Sequence, residues 1–441
     1  MDDNGPVAIM SRVRSQPFDE LTPGGAIGKF RWVICTLLFL GISKNYMDRQ
    51  VLGVLKTTLQ HNLGWNEIDY SNLVFAFQAA YAFGMVVVGR FIDKVGTRIG
   101  YGVSIVFWSV AAMAHAACTS ILSFTLARAA LGLGESAAFP ASIKTVTEWF
   151  PQKERALATG IFNAGSNVGA ILTPLIVPWI VIHFGWRAAF LVSGAAGLLW
   201  FALWMIVYLE PEKHPRCSAQ ELAYIRGDNE RRDAKVGWAA LIKFRQTWAF
   251  LIAKFLTDPV WWFYLFWLPG FLQKEHGLNL VQLGLPLVAI YVISDAGSVA
   301  GGWLSSRLIN AGVSVNVARK AAMLVCAACV VPIVSVYSGR GLWASVLLIG
   351  LAAAAHQGFS ANLFTTASDM FPREAVASVV GIGGMAGGIG GMLIAKVVGY
   401  ALQATGSYLI PFLISGSSYT VAVLAMQLLA PRLERIERLQ T

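Results

Sequence analysis

Long apolar runs are the feature that most constrains the fold of this chain. A bilayer core requires about 20 apolar residues for one helical crossing. The 441-residue chain contains twelve runs of roughly that length. They lie near residues 31–54, 70–91, 99–117, 120–143, 155–181, 187–209, 248–272, 282–308, 319–338, 342–367, 376–403 and 408–430. The chain is therefore predicted to be an all-α membrane protein with twelve transmembrane helices.

The composition agrees with this prediction. Only 13% of the residues are charged, whereas a soluble protein carries about a quarter. The first thirty residues are polar and lack an apolar core before a small-residue cleavage site, which argues against a signal peptide. Residues 1–30 and 431–441 are predicted to be cytoplasmic tails.

The positions of the cations predict the orientation. A net charge of +10 is compatible with nucleic-acid binding, but the cations lie in short loops between apolar runs, as the positive-inside rule describes. One set of loops carries Arg90, Lys94, Arg98, Lys144, Lys153, Arg155, Arg307, Arg319, Lys320, Arg373, Arg432, Arg435 and Arg438. The opposite loops carry little beyond Lys56, Arg187, Lys274 and Arg340. We expect the first set and both termini to be cytoplasmic, with lipid around the chain and no nucleic-acid partner.

The chain is predicted to consist of two similar halves. A polar segment over residues 210–247 is expected to be a cytoplasmic loop that joins six-helix bundles at 31–209 and 248–430. The sequences TEWFPQKERALATG at 147–160 and SDMFPREAVASVVG at 368–381 resemble each other, and each lies between the fourth and fifth runs of its half. A parallel repeat of this kind is a transporter architecture, with the substrate site between the halves near mid-membrane.

Four ionisable residues interrupt the apolar runs. Asp48 and Arg49 lie in the first run, and Arg128 and Glu135 lie in the fourth. Such groups are costly at bilayer depth and mark functional sites. Arg128 and Glu135 share a helix face, as do Asn45 and Arg49, whereas Asp48 is turned about 100° from Arg49. A structural Asp48–Arg49 pair at the outer mouth is the alternative, and the second arginine favours a functional cluster.

The chemistry of these residues predicts two roles. A guanidinium stays charged and grips a carboxylate through two parallel hydrogen bonds, so Arg49 and Arg128 are predicted to bind an anion. A buried carboxylate gains or loses a proton with changes in its surroundings, so Asp48 and Glu135 are predicted to couple protons to transport. The pattern indicates a proton-driven carrier for an organic anion.

The loop after the second run carries a motif, GRFIDKVGTR at residues 89–98. Gly89 permits close helix approach and a short turn. Asp93, Lys94 and Arg98 are predicted to form an ion-pair latch at the cytoplasmic face, with a solvated basic loop as the alternative. The corresponding stretch at 301–307 lacks the acid, which predicts a weaker latch in the second half.

The seventh run carries a charged pair and several aromatic residues. Lys254 and Asp258 are four residues apart and are predicted to neutralise each other rather than to bind a ligand directly. Tyr264 is a candidate for stacking on a sugar ring, with packing or an interfacial aromatic belt as the alternative.

The tenth run carries polar residues that suit sugar hydroxyls. Gln357 and Ser360 are the preferred ligands, and Asn362 is a further candidate. His356 ranks below them, because a lone histidine in a membrane helix often makes only a helix–helix hydrogen bond.

These motifs resemble the major facilitator superfamily and, within it, the anion:cation symporter family. The chain most resembles the hexuronate transporters of proteobacteria and is similar to galactonate carriers. The resembling stretches are Asn45-Tyr46-x-Asp48-Arg49, Ala127-Arg128-x5-Gly134-Glu135, residues 148–155, residues 162–166, His356-Gln357, Asp369-x-Phe371 and residues 255–262. The resemblance implies proton coupling by Asp48 and Glu135 and substrate binding by Arg49 and Arg128.

The resemblance also implies further contacts with substrate. Tyr81 matches a position that contacts substrate, and Tyr46, Asn163 and Ser166 lie within resembling stretches. Ser166 falls where the galactonate carrier has a glutamine, so the preference among sugar acids stays open. Two glycines, Gly384 and Gly387, lie in a span where relatives carry an asparagine, so contacts from that helix are not assumed.

Other classes of protein are disfavoured by what the sequence lacks. The five cysteines form no disulfide framework, and Cys326-x-x-Cys329 in an apolar run is typical of packing. The cytoplasmic segments contain no metal-ligand spacing, nucleophile elbow or phosphate loop. The longest segment outside the membrane, about forty residues, is too short for a sensor domain. No enzyme activity, cofactor or metal is therefore expected.

The sequence thus predicts a proton-coupled symporter of the bacterial inner membrane, working as a monomer. Its predicted substrate is a hexuronate such as glucuronate or galacturonate. Galactonate, glucarate, tartrate or an aromatic acid are alternative substrates, and export is an alternative direction.

Overall fold

The structure is a computed structural model, and it describes residues 28–227, 238–337 and 341–436. Residues 1–27, 228–237 and 437–441 of the predicted tails and central loop lie outside the described residues. Two cations used to predict the orientation, Arg340 and Arg438, also lie outside the described residues. Of two others, Lys153 and Arg373, only the backbone is described.

The described chain is helical, with no strand among its described residues. Its helices are α1 Phe30–Val54, α2 Lys56–Leu63, α3 Glu67–Val95, α4 Thr97–Ala114, α5 Ile121–Glu135, α6 Ala138–Trp149, α7 Gln152–Phe184, α8 Trp186–Val207, α9 Ala219–Arg226, α10 Trp238–Leu241, α11 Arg245–His276, α12 Gly284–Asn310, α13 Val315–Val330, α14 Leu342–Met370, α15 Arg373–Thr405 and α16 Leu409–Leu429. Short 3-10 helices follow α4, α8 and α13.

Twelve crossings connect the two ends of the helix bundle. Ten are single helices, the fourth combines α5 with α6, and the ninth combines α13 with the 3-10 helix Val331–Tyr337. Nine of the described helical segments are long and apolar enough to span a membrane on their own. The other three crossings, the first, second and fourth, are not among these nine because they contain charged residues or an interruption. The predicted all-α fold with twelve membrane helices is confirmed.

The fourth crossing is broken beside Glu135. Pro140 lies in the first turn of α6 and has no N–H to bond the carbonyl of Ser136, so a continuous helix is disfavoured. The backbone instead makes a tighter turn, in which the Ala137 N–H donates to the Gly134 carbonyl at 3.4 Å. Glu135 is therefore the last residue of α5. The irregular backbone that follows it, at Ser136 and Ala137, is buried inside the protein.

The two halves repeat the same helix pairing. In the first half, α1 packs on α7, α3 on α5 and α4 on α8. In the second half, the equivalent pairs are α11 with α15, α12 with α14 and α13 with α16. The similar sequences at 147–160 and 368–381 occupy equivalent turns, where Pro151 (φ −63°, ψ 154°) and Pro372 (φ −62°, ψ 154°) precede α7 and α15.

Close contact between α12 and α14 depends on glycine. A Cβ at Gly301 would lie 2.3 Å from the Gly358 Cα, whereas a Cβ at the adjacent Gly302 would meet nothing within 4 Å. Two helices approach this closely only where neither carries a side chain.

We expect Gly301→Ala to lower the stability of the second half, because the added methyl group separates α12 from α14. Overpacking of this kind costs typically 1–3 kcal/mol. The matched control is Gly302→Ala, which is expected to be neutral or slightly stabilising, since alanine favours a helix over glycine. The melting temperature in detergent measures both, and equal melting temperatures would contradict the packing argument.

The polar contacts between the two halves lie toward the end of the helix bundle that is opposite the start of α1 and the end of α16. We call the end where α1 begins and α16 ends the terminal end, and the opposite one the distal end. Near the distal end, the Tyr70 hydroxyl donates to the Phe266 carbonyl at 2.7 Å, and the Glu67 N–H donates to Gln403 at 3.2 Å. Gln50 also donates to the Tyr291 hydroxyl at 2.8 Å.

Two further polar contacts cross the seams between the halves. Asn167 on α7 donates to Asp295 on α12, and Lys396 on α15 donates to Asn72 on α3. Both charged residues lie in predicted spans. Together with the distal contacts, they hold the halves together from mid-membrane to the distal end.

The segment after α8 is attached to the terminal end of the first half. Glu221 on α9 is fully buried and accepts hydrogen bonds from the backbone N–H groups of Phe30 (3.2 Å) and Arg31 (3.0 Å). The Arg31 guanidinium also binds Glu154 at 2.8 Å. The start of α1 is thereby fixed against both α7 and α9.

Candidate functional site

A cavity of about 580 Å³ lies between the halves. Its walls come from α3, α11 and α15. It extends from Gln78 and Trp262 in the middle of the protein to Gly89, Arg90 and Asp93 at the terminal end. Its volume is in the range of small-molecule sites. A cavity of about 650 Å³ at the distal surface, lined by Lys56 and Tyr408 among others, includes none of the predicted site residues.

An ion pair between α1 and α5 lies next to the inner end of the cavity. The Arg49 Nε donates to the Glu135 Oε2 at 2.7 Å, and both side chains are buried, with 1% and 0% exposed. Breaking a buried pair by removing one partner costs about 3–5 kcal/mol. The structure thus brings together two of the four predicted charged residues.

Aromatic rings enclose the Arg49 guanidinium. Its carbon lies 4.5 Å from the ring centroid of Tyr81 and 4.8 Å from that of Tyr46, with the Trp262 ring at 5.7 Å. Tyr81 and Trp262 also line the cavity. These two rings therefore lie between the charged cluster and the open space. The predicted ligands Tyr46 and Tyr81 both lie beside Arg49.

Arg128 is a buried cation without a carboxylate partner among the described residues. It is 0% exposed, and its one hydrogen bond in the described part of the chain runs from Nη2 to the Arg49 carbonyl at 3.2 Å. The Nε and Nη1 atoms are unpartnered there. Its guanidinium lies 4.7 Å from the Phe77 ring, and the Arg49 guanidinium lies 5.6 Å from the same ring. The two arginines thus flank one ring.

Asp48 does not join this cluster. Its carboxylate pairs with Lys44, one turn earlier on α1, and accepts a hydrogen bond from Ser193 on α8. None of Asp48, Arg49, Arg128 and Glu135 lines the cavity, and the proton-coupling role of Asp48 stays a prediction. The alternative Asp48–Arg49 pair is wrong, since Asp48 pairs with Lys44 and Arg49 with Glu135. The reason is the rotation of about 100° between successive residues, which turns Asp48 into the interior of the first half.

Two buried amides near the cluster have no hydrogen-bond partner among the described residues. Asn45, a predicted ligand, is 0% exposed, and both its side-chain atoms are unpaired. Gln78 is equally buried and unpaired, and it lines the cavity. The sequence reasoning missed Gln78, although a glutamine inside the second apolar run is the same kind of anomaly as Arg49.

The seventh crossing presents Trp262 and Asp258 to the cavity. Lys254 and Asp258 form the predicted ion pair at 2.7 Å. Tyr264 is 1% exposed and does not line the cavity. It is about 200° around α11 from Trp262, so Trp262 is the aromatic residue of α11 in the cavity wall, and a stacking role for Tyr264 stays a prediction.

The tenth crossing uses its polar residues mainly inside the second half. His356 is hydrogen-bonded to the Tyr419 hydroxyl at 2.6 Å, and its ring stacks on Trp261. Asn362 donates to the carbonyls of Gly301 and Gly358, both at 2.9 Å. These contacts stabilise helix packing and leave neither side chain in the cavity wall.

Four other predicted ligands also lie outside the cavity wall. Gln357 and Ser360 are half-buried and do not line the cavity. The Ser166 hydroxyl donates to the carbonyl of Asn163 one turn earlier, at 2.7 Å, and Asn163 is exposed. Gly384 lines the cavity with open space beside its Cα.

The predicted latch has different partners. Asp93 pairs with Lys144 on α6 at 3.0 Å, and Arg98 donates to the Met205 carbonyl at 2.6 Å. Lys94 is exposed. Gly89, Arg90 and Asp93 form the mouth of the cavity at the terminal end, so the motif lies at the entrance, while the ion pair itself connects α3 to α6.

The described residues include no cluster of histidine, cysteine or acidic side chains able to hold a metal. The five cysteines are all free. Cys326 is packed beside Gly358 at the α12–α14 contact.

Comparison with known proteins agrees with this architecture. The profile of the Major Facilitator Superfamily matches residues 38–395. The chain is 31% identical to the hexuronate transporter of Escherichia coli strain K12 over 382 residues, which cover 85% of this chain and 88% of the relative. It is 29% identical to a probable galactarate/D-glucarate transporter of Bacillus subtilis strain 168, over 95% of this chain and 96% of the relative.

A solved structure has the same fold. A bacterial homolog of the human lysosomal transporter Spinster, in an inward-facing and occupied conformation, superimposes with a TM-score of 0.73 at 16% identity. The alignment covers 92% of this chain and 98% of the other. The chain belongs to the Major Facilitator Superfamily and is a multi-pass membrane transporter.

Proposed function

We propose that the protein is a symporter that imports a hexuronate, glucuronate or galacturonate, together with protons across the bacterial inner membrane. Its relatives by sequence are named for hexuronate and for galactarate/D-glucarate. The observation that carries the proposal is Arg128, a buried guanidinium whose Nε and Nη1 have no partner among the described residues. A carboxylate accepts two parallel hydrogen bonds from such a group.

The orientation follows from the cations. Loops at the terminal end carry most of the lysine and arginine residues, so we assign this end to the cytoplasm. The 580 Å³ cavity then opens to the cytoplasm, while contacts such as Tyr70–Phe266 close the opposite side. In this assignment the protein faces inward.

Coupling in this proposal is a competition for Arg49. Ionised Glu135 holds Arg49 at 2.7 Å. A proton on Glu135 weakens this bond, because hydrogen bonds between charged partners are the stronger ones, and it frees Arg49 for the substrate. Loading one monoanion with one proton leaves the net charge of the cluster unchanged. Asp48 contacts Lys44 and Ser193, so the coupling proposal rests on Glu135.

The test is transport by the purified protein in liposomes. Counterflow of labelled glucuronate is measured against unlabelled glucuronate, galacturonate, galactonate and glucarate. We expect exchange with both hexuronates and accumulation when the compartment that receives the substrate is alkaline. Absence of counterflow with every acid would remove the proposal, and accumulation that ignores the pH gradient would remove the symport mechanism.

Gln78 is expected to contribute to substrate binding. Gln78→Leu should raise the KM about tenfold, since a hydrogen bond to a charged group contributes about 1.5–3 kcal/mol. It should not lower the melting temperature, because the replaced amide is buried and unpaired. Gln50→Leu is the matched control. It breaks the Gln50–Tyr291 bond and is expected to lower the melting temperature. An unchanged KM in Gln78→Leu would contradict the assignment.

A further inference from the structure

Among the described residues, the second half presents one carboxylate to the cavity, that of Asp258. Asp258 and Lys254 form an ion pair on consecutive turns of α11, but the two side chains differ in exposure. The Asp258 side chain is 19% exposed and lines the cavity, whereas that of Lys254 is 7% exposed and does not line it. The lysine Nζ instead lies 4.3 Å from the centroid of the Phe364 ring. The anion thus faces the open space, and the cation is withdrawn from it.

Glycines on α15 make room for this arrangement. A Cβ at Gly387 would collide with the Asp258 carboxylate, and a Cβ at Gly383 would lie 3.3 Å from the Lys254 side chain. Gly384 and Gly388 line the cavity together with Asp258. A Cβ at Gly384 would meet nothing within 4 Å, and one at Gly388 would meet only Ala82, at 3.5 Å. The position of the carboxylate is therefore fixed by close packing on one side and is free on the other.

Trp262 lies between the arginine cluster and Asp258 along α11. The Trp262 ring lies 5.7 Å from the Arg49 guanidinium, and Asp258 is one helical turn further along α11, about 6 Å along the axis. A sugar acid whose carboxylate binds the arginines extends past Trp262. Its other end then lies near Asp258.

We propose that Asp258 determines specificity by restricting transport to acids with a single carboxylate. This inference rests on the proposed sugar-acid function. The Asp258 carboxylate accepts hydrogen bonds from hydroxyl groups at the far end of a uronate. It repels the second carboxylate of an aldarate, because like charges in a cavity walled by protein are poorly screened. Lys254 pairs with Asp258 but does not line the cavity, so it offsets this repulsion only in part.

The test compares glucuronate with glucarate in liposomes. Wild-type protein is expected to favour glucuronate by at least about tenfold in kcat/KM, which corresponds to about 1.4 kcal/mol. Asp258→Asn is expected to shift this ratio at least about tenfold towards glucarate, because it removes the repulsion and leaves Lys254 without its partner. The double variant Lys254→Met with Asp258→Asn should keep only the part of the gain that comes from the lost repulsion, and it should still transport glucuronate.

Two further variants keep the test decisive. Asp295→Asn removes a carboxylate that binds Asn167 outside the cavity wall, and it should leave the ratio unchanged. The exchanged pair Lys254→Asp with Asp258→Lys keeps the ion pair and presents the cation to the cavity. It should favour glucarate even if Asp258→Asn does not fold.

The outcomes separate this proposal from the one on which it rests. Equal transport of glucuronate and glucarate by the wild type would overturn the role of Asp258 and leave sugar-acid transport intact. An unchanged ratio in both Asp258→Asn and the exchanged pair would do the same. Absence of transport of any sugar acid would instead remove the proposed function itself.

Discussion

Replacing Arg128 with alanine is expected to abolish uptake while the protein still folds and reaches the membrane. Arg128 makes one described hydrogen bond, to the Arg49 carbonyl, and two of its nitrogens are unpartnered. The side chain also contacts the Phe77 and Phe266 rings, but no ion pair with a described residue is lost with it. A substrate carboxylate, in contrast, loses its buried cation, at a cost of about 3–5 kcal/mol. We expect a fall in kcat/KM of more than about 100-fold.

Arg49 should behave differently from Arg128. Arg49→Ala is also expected to abolish uptake, but it leaves Glu135 without its only ion-pair partner in the described chain. An unpaired buried carboxylate is strongly destabilising. We therefore expect Arg49→Ala to lower the melting temperature and Arg128→Ala to change it little. Double substitution of Arg49 and Glu135 should recover stability without recovering transport.

Conservative variants and a control complete this prediction. Arg128→Lys keeps the charge but loses the planar pair of donors, so we expect an intermediate loss. Arg187 donates to the Ala116 carbonyl near the distal end, and Arg187→Ala should transport at the wild-type rate. Counterflow and thermal unfolding in detergent measure the two effects. Wild-type transport by Arg128→Ala would refute the anion-binding role.

The fold was predictable because the bilayer restricts it so strongly. Length and apolarity alone located all twelve crossings, and the turns before Pro151 and Pro372 revealed the repeat. The break in the fourth crossing was harder to predict from the sequence. Pro140 was visible in the sequence, but a proline in an apolar run either bends or breaks a helix, and packing selects between these outcomes.

The charged cluster was predictable in its membership more than in its pairing. Apolar surroundings identified Arg49, Arg128 and Glu135 as anomalies. Helical rotation separated Asp48 from Arg49, but no pattern within α1 indicates which neighbouring helix each side chain faces. Lys44 lies four residues before Asp48, the spacing that forms ion pairs on a helix. The same spacing predicts the Lys254–Asp258 pair, so the Lys44–Asp48 pair was also predictable from the sequence.

Residues of the second half were harder to place for a physical reason. Around α11, aromatic side chains occur on every face, so periodicity does not separate Trp262, which lines the cavity, from the buried Tyr264. Polar residues on α14 suit either sugar hydroxyls or helix packing. Asn362 makes two bonds to helix carbonyls, a use that only the approach of α12 reveals.

Replacing Glu135 with glutamine is expected to uncouple transport from the proton gradient. The amide has nearly the shape of the protonated acid, so Arg49 stays available to the substrate. In the wild type, a rise in pH ionises Glu135, strengthens its bond to Arg49 and weakens substrate binding. Counterflow should therefore decline with rising pH in the wild type and stay nearly constant in Glu135→Gln.

Accumulation distinguishes coupling from binding. With one pH unit across the liposome membrane, each coupled proton supports about tenfold accumulation, since a tenfold ratio corresponds to 1.4 kcal/mol. Glu135→Gln should exchange substrate near the wild-type rate. Without a coupled proton it should act as a uniporter, so the ratio of inside to outside substrate concentration should reach only about one. Gradient-driven accumulation equal to that of the wild type would rule out Glu135 as the coupling group.

Asp48→Asn provides the comparison that assigns the proton to one residue. Asp48 pairs with Lys44 and Ser193 inside the first half, so its substitution leaves Lys44 without a partner and is expected to reduce stability. If Glu135 alone exchanges the proton, whatever folded Asp48→Asn protein remains should still accumulate substrate. Loss of accumulation in Asp48→Asn, with exchange preserved, would instead mean that the coupling site extends across α1 to α8 and that the Lys44–Asp48 pair opens during transport.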